Sequence, residues 1–163
     1  MPHRRGAFLT RLTLSALAGV SVCVLDRLTK IWALGSLREN QSQDVWAPWL
    51  AWTLHRNTGA AFGLGAHAPD ALIWFAAGLT IFLAVWWLKT AATPGKWIES
   101  LALALILGGS AGNLTDRFRT GAVIDFIDFK VWPIFNLADS AITAGAVLWA
   151  ACVILRRNQI PKD

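Results

Sequence analysis

Four long apolar stretches dominate the chain, and most polar residues lie in the segments between them. The stretches without any charged residue are 12–25, 71–88, 100–115 and 140–155. With a modest extension, each can supply the roughly 20 residues that a helix needs to cross a bilayer core. The pattern predicts an all-α membrane protein that forms one domain over residues 1–163, with four transmembrane helices at about 10–34, 70–89, 98–118 and 137–156.

The first of these helices is the least regular. It is long enough only if it continues past Asp26, Arg27 and Lys30, so these charges need a polar surrounding or a position at the far membrane surface. The basic residues within 4–11 resemble the start of a signal peptide. No A-x-A-like site ends the apolar run, and we therefore expect an anchor that is retained.

The two longer connections show alternation of apolar and polar residues. In the 35–69 segment, the alternation around WLAWTLHRN predicts a small β-like segment between helices 1 and 2, lying against the outer membrane surface. In the 119–136 segment, GAVIDFIDF also alternates like a strand, which places Asp125 and Asp128 on opposite faces. Only one of these two acids can face a site.

Lys and Arg are distributed unevenly among the connections and termini. Segments 1–11, 89–99 and 156–163 hold eight in 30 positions, whereas segments 35–70 and 118–138 hold four in 57. Because cytoplasmic segments of membrane proteins are enriched in Lys and Arg, both termini of this multi-pass chain are predicted to lie in the cytoplasm.

The composition supports a membrane protein and excludes several other classes. Hydrophobic residues make up 55% of the chain and charged residues 15%, which is too apolar for an ordinary soluble domain. The net charge of +5 arises from basic residues at the ends of apolar runs, a pattern that does not favour nucleic-acid binding. Two Cys and three scattered His lack metal-ligand spacing, so neither a metal nor a cofactor is expected.

The predicted topology brings the unusual polar residues together at the outer leaflet. These residues are Asp26 in the first helix, Asn57 in the first outer segment, Asn113, Asp116 and Arg117 in the third helix, Asp125 in the second outer segment, and Asn136 and Asp139 where the fourth helix begins. Asn113, Asp116 and Arg117 share one helix face, although the last two could simply form a solvated helix end. We include Asp116 with Asn113 and Arg117 as site-shaping residues.

Three residues near these polar groups allow a structural interpretation as well as a functional one. Gly108 and Gly112 are four residues apart, which favours close packing of a neighbouring helix over a direct role in a site. Asn136 could be the N-cap of the fourth helix or a substrate contact, and both possibilities remain open.

Two carboxyl groups at the edge of a low-dielectric membrane can perform acid–base chemistry. They cannot easily both ionise, so they tend to share a proton. One member can then take a proton from water while the other donates to a scissile carbonyl. Asp125 and Asp139 are the candidates, and the alternative is a structural ion pair with Arg117.

Five motifs together resemble the signal peptidase II family. They are DRLTK at 26–30, NTGAAF at 57–62, GGSAGNLTDR at 108–117, GAVIDF at 121–126 and FNLADSAI at 135–142. The resemblance covers roughly residues 12–155 and implies an aspartic endopeptidase of the bacterial inner membrane. Such an enzyme cleaves diacylglyceryl-modified prolipoproteins on the N-terminal side of the lipidated cysteine.

The motif match also implies roles for individual residues. Asp125 and Asp139 correspond to the catalytic pair. Supporting, substrate-orienting or site-shaping roles are implied for Asn57, Asn113, Arg117, Asn136, Asp26 and Lys30. The expected partners are prolipoprotein substrates, membrane lipid and globomycin-type inhibitors. We expect a monomer whose active site lies near the outer leaflet.

Two other classes of function would use the same polar residues differently. A small proton- or cation-coupled transporter could use Asp26, Asp116 and Asp139 as an ion path, but it would need polar residues at mid-membrane depth on several helices. A non-catalytic membrane assembly factor would tolerate Asp125→Asn with little loss of function.

Overall fold

Four helices and a three-stranded sheet make up the fold. The computed structural model describes residues 2–59 and 69–157. In chain order the elements are α1 (Pro2–Ser36), β1 (Ser42–Trp46), β2 (Leu50–Asn57), α2 (Pro69–Ala91), α3 (Trp97–Thr120), β3 (Val123–Asp128) and α4 (Leu137–Arg157). Part of the predicted outer segment and of the NTGAAF motif, residues 60–68, lies outside the described residues.

Each of the four helices is long and apolar enough to cross a membrane. Large apolar side chains cover their outer surfaces: Phe75 is 69% exposed, Ile81 65% and Val147 66%. Apolar surface of this extent is compatible with lipid and not with water. The predicted fold, a four-helix membrane protein with a small β segment, is thereby confirmed.

The first helix is longer than expected. It begins at Pro2 and ends at Ser36, whereas the sequence suggested about 10–34. The added residues include several that favour helix formation, and a proline is tolerated at the first helical position. The other three helices begin and end within two residues of the expected positions.

α3 is the central helix, and its glycines allow close contact with two neighbours. Gly108 packs directly on the backbone of Gly19 in α1. A methyl group at Gly109 would lie 2.5 Å from the carbonyl oxygen of Ala138 in α4. The packing interpretation of the Gly-rich stretch therefore agrees with the structure, because side chains here would separate the helices that form the site.

The sheet lies at the end of the bundle where α1 and α3 end and α4 begins. Its order is β1-β2-β3, with both pairs antiparallel. Ile124 and Phe126 of β3 pack with Leu54 of β2 against Ala33 of α1 and Leu37, which directly follows that helix. This apolar cluster fixes β3 on the bundle. It thereby also fixes Asp125, which lies between Ile124 and Phe126.

Candidate active site

Strand alternation and helix capping together determine where the two candidate catalytic acids lie. Asp125 lies on β3 and Asp139 in the first turn of α4. Both line one cavity of about 260 Å³, together with Asn57, Asn113 and Arg117. The other predicted site residues, Asp26, Lys30, Asp116 and Asn136, are buried beside the cavity and do not line it.

Asp139 belongs to a capping box at the start of α4. Its backbone N–H donates to Asn136 Oδ1 at 2.9 Å, and the Asn136 N–H donates to Asp139 Oδ2 at 3.2 Å. This reciprocal pair satisfies two N–H groups that a helix start leaves free. Asn113 Nδ2 donates to the other oxygen, Asp139 Oδ1, at 2.8 Å. The acid is therefore oriented by α3 as well as by its own helix.

Asp125 is almost completely buried, with 1% of its surface exposed. Asn136 Nδ2 donates to its Oδ1 at 2.7 Å, and Asn57 Nδ2 to its Oδ2 at 3.1 Å. Burial raises the pKa of Asp125 to about 7, and the nearby charge of Asp139 acts in the same direction, against the two amide hydrogen bonds. Near neutral pH this carboxyl is therefore present in both protonated and ionised forms.

The alternation of β3 sends Asp128 away from this cavity. Thr53 Oγ1 and Lys130 Nζ donate to Asp128 Oδ2 at 2.8 and 2.9 Å, which fixes the acid on the other face of the sheet. Of the two acids in the strand motif, Asp125 is the one that reaches the cavity.

Asn136 is the N-cap of α4 and also contacts one of the candidate catalytic acids. Its Oδ1 accepts the Asp139 N–H, which is the cap that the sequence suggested. Its Nδ2 also contacts Asn113 Oδ1 at 3.1 Å and the Ile124 carbonyl at 3.3 Å, in addition to Asp125. One side chain therefore connects the strand, α3 and α4, while substrate contact stays a prediction.

Arg117 lies in the cavity wall and does not pair with the two acids. Its Nη2 donates to the Gly59 carbonyl at 3.1 Å. Within residues 2–59 and 69–157, no ion pair joins Arg117 to Asp125 or Asp139. The structural ion-pair alternative for the two acids therefore has no support.

Two of the three charges near the end of α1, Asp26 and Lys30, are buried in a polar surrounding, whereas Arg27 is 35% exposed. Lys30 is fully buried, and its Nζ lies 2.7 Å from both Asp26 Oδ2 and Asp116 Oδ2. Nζ also donates to Asn113 Oδ1 at 2.9 Å. The solvated-end interpretation is therefore wrong for Asp116, which is 2% exposed, because α1 covers that face of α3.

The apolar wall of the cavity was missed by the sequence analysis. It consists of Val123, Trp132, Pro133, Ile134, Phe135 and Ile142. Ile142 could have been identified, since it lies three residues after Asp139 on the same helix face. Residues 132–135 come from an irregular loop, for which periodicity offers no signal.

Comparison with known proteins places this arrangement in a family context. The sequence model described as signal peptidase (SPase) II matches residues 18–155. A lipoprotein signal peptidase of Syntrophomonas wolfei is 41% identical over 138 residues, covering 82% of this chain and 88% of that protein. A lipoprotein signal peptidase of Xanthomonas oryzae is 42% identical over 144 residues, covering 83% of each.

Two solved structures share the fold of this chain. Two bacterial membrane enzymes superpose with TM-scores of 0.80 and 0.74 at 30% and 31% identity. The alignments cover 93% and 86% of this chain, and 94% and 92% of theirs. Neither these matches nor the clustering of polar groups at one end of the bundle supports the transporter alternative.

Proposed function

Because this chain belongs to the signal peptidase II family, it is a membrane peptidase of the aspartic class, and we propose that Asp125 and Asp139 are its catalytic pair. The observation that supports this most strongly is the shared cavity, in which two acids from different elements meet. Such a pair can divide acid and base roles between its members when one holds a proton and the other is ionised.

The mechanism follows from the different surroundings of the two acids. Burial raises the pKa of Asp125 to about 7, and its protonated form is the active one in the proposed mechanism. The Asp139 carboxylate takes a proton from a water molecule, and that water attacks the scissile carbonyl carbon. Asp125 donates its proton to the carbonyl oxygen, giving a tetrahedral diol. Collapse of the diol breaks the C–N bond, and the leaving nitrogen receives the proton from Asp139 while Asp125 regains its own.

The substrate is a prolipoprotein, as the names of the relatives suggest. The cleaved bond precedes a cysteine that carries a diacylglyceryl group. The apolar cavity wall formed by Ile134, Phe135 and Ile142 suits a substrate that is itself embedded in lipid. Because the lipid chains of such a substrate stay in the bilayer, the proposed reaction requires access to the cavity from lipid as well as from water.

The same proposal includes the setting of the enzyme. It works as a monomer in the bacterial inner membrane, with both termini in the cytoplasm and the cavity near the outer leaflet. The distribution of Lys and Arg supports this orientation. Globomycin-type cyclic peptides inhibit it by occupying the cavity.

A cleavage assay with a matched control tests the proposal. The purified enzyme is given a precursor with the diacylglyceryl group and the same precursor without it. We expect cleavage of the modified precursor only, loss of cleavage in Asp125→Asn and Asp139→Asn, and retention in Asp128→Asn, whose carboxyl lies on the other sheet face. Equal cleavage of both precursors would contradict the proposal that the substrate must carry the diacylglyceryl group. Activity in Asp125→Asn or Asp139→Asn would contradict the proposal that these two acids are the catalytic pair.

A further inference from the structure

We propose that Lys30 is a positioning residue that sets the relative placement of the two catalytic acids, acting through three separate contacts from one ammonium group. The inference rests on the proposed function, since it assumes that Asp125 and Asp139 form the catalytic pair. Lys30 itself is fully buried outside the cavity.

The first contact leads to Asp139. Lys30 Nζ lies 2.7 Å from Asp26 Oδ2, and the other oxygen of Asp26 accepts the backbone N–H of Ala138 at 2.9 Å. Ala138 immediately precedes Asp139, so Asp26 accepts a backbone N–H at the start of α4 that the capping box leaves without a partner. The carboxylate on α1 therefore fixes the peptide that carries one catalytic acid.

The second contact leads to Asp125 in a corresponding way. Lys30 Nζ lies 2.7 Å from Asp116 Oδ2, and the same oxygen accepts the backbone N–H of Ile124 at 3.3 Å. Ile124 immediately precedes Asp125. Asp26 and Asp116 therefore share the Lys30 ammonium group, and each accepts the backbone N–H of the residue that precedes a catalytic acid.

The third contact fixes a side-chain amide. Lys30 Nζ donates to Asn113 Oδ1 at 2.9 Å, and Asn136 Nδ2 donates to the same oxygen. With Oδ1 accepting from two donors, the Asn113 amide must present Nδ2 to Asp139 Oδ1. Lys30 thereby determines which end of Asn113 meets the catalytic acid.

The chemistry of the ammonium group accounts for the choice of lysine. Nζ has three donors, and the three contacts use all of them. Arg27 cannot replace it, because its guanidinium lies 3.7 Å from Asp116 Oδ1 and is 35% exposed. Since misplacement of a reacting group by about 1 Å can cost about 100-fold in rate, loss of this common anchor affects catalysis more than binding.

The experiment compares two variants with a control in the full-length enzyme. Lys30→Met removes the ammonium. The triple variant D26N/K30M/D116N removes all three charges while keeping amide oxygens as acceptors for the two backbone N–H groups. Ser15→Ala is the control, because it breaks buried hydrogen bonds to Ser100 and Trp87 that do not involve the site.

We expect kcat to fall about 100-fold in Lys30→Met and in the triple variant, with KM changed less than about threefold. The positive charge of Lys30 lowers the pKa of Asp125, so its removal moves the basic limb of the kcat profile to higher pH in Lys30→Met. A purely structural role would reduce the amount of active enzyme equally at every pH. Ser15→Ala should keep both kcat and the profile.

Recovery of wild-type kcat in the triple variant would overturn the inference, because Lys30 would then only neutralise two buried acids. If Lys30→Met does not fold, the triple variant decides by the same criterion. Asp125→Asn is measured alongside. Activity in Asp125→Asn would refute the proposed function, whereas full activity in a folded Lys30 variant with an inactive Asp125→Asn would refute only the positioning role.

Discussion

Replacement of Asp125 by asparagine should stabilise the protein at high pH, although it removes a catalytic group. The pKa of this acid is about 7 in the folded protein, against 3.8 for an aspartate in an unfolded chain, because the folded state buries it. The folded state therefore binds the proton more tightly than the unfolded chain, and stability is lost as pH rises from about 4 to 7. The difference corresponds to at most about 4 kcal/mol.

An asparagine at position 125 avoids the cost of a buried charge, but it does not restore the whole of the stability that ionisation of Asp125 removes. Asp125 accepts hydrogen bonds from both Asn57 and Asn136, whereas an amide would direct its own N–H group at one of these donors. A mismatched buried hydrogen bond costs about 1–3 kcal/mol. We therefore expect Asp125→Asn to be about 1–3 kcal/mol more stable than the wild type at pH 8.5, and less stable than the wild type below pH 4.

Thermal unfolding in one detergent at several pH values measures this difference. For a chain of this size, 1 kcal/mol corresponds to about 2–4 °C in Tm. Asp128→Asn is the control, because its effect on stability should have the opposite sign. Burial alone would raise the pKa of Asp128, but the hydrogen bonds from Lys130 and Thr53 outweigh burial and lower that pKa. That variant should lose stability above about pH 4. A Tm difference for Asp125→Asn that does not change with pH would refute the reasoning.

Three further substitutions test other parts of the site. Asn136→Ser should keep the α4 cap and lose the bond to Asp125, so unfolding measurements should show it about 1 kcal/mol more stable than Asn136→Ala. Gly109→Ala should destabilise by about 1–3 kcal/mol and lower activity, whereas Gly78→Ala, with open space around it, should be neutral or stabilising. Asn57→Ala should raise the pKa of Asp125 and move the basic limb of the cleavage profile to higher pH; an unchanged limb would exclude this contact.

The helices and the strand of the catalytic acid could be predicted because their signals are local. Uninterrupted apolar runs indicate spans, and the alternation in GAVIDFIDF is enough to separate Asp125 from Asp128. The structure agrees on both, with β3 at Val123–Asp128. Asn136 as the cap of α4 follows from the same kind of short-range pattern.

The remaining features depend on contacts between distant residues. Lys30 could not be assigned to Asp116 and Asn113, because the sequence separation is more than 80 residues and no periodicity relates α1 to α3. The sequence predicted either a polar surrounding or a position at the far membrane surface for this charge, and the motif match implied a site-shaping role without naming its contacts. The apolar cavity wall from the 132–135 loop was missed for a similar reason, since irregular backbone has no repeating pattern.

Single-turnover cleavage by Asp125→Asn, Asp139→Asn and the double variant tests most directly whether the two acids act as one unit. Groups that act together show strongly non-additive losses. We expect each single variant to retain less than about 1% of the wild-type rate, and the double variant to lie within about tenfold of both. A single variant that keeps most of the wild-type rate, or losses that multiply in the double variant, would contradict a shared catalytic pair.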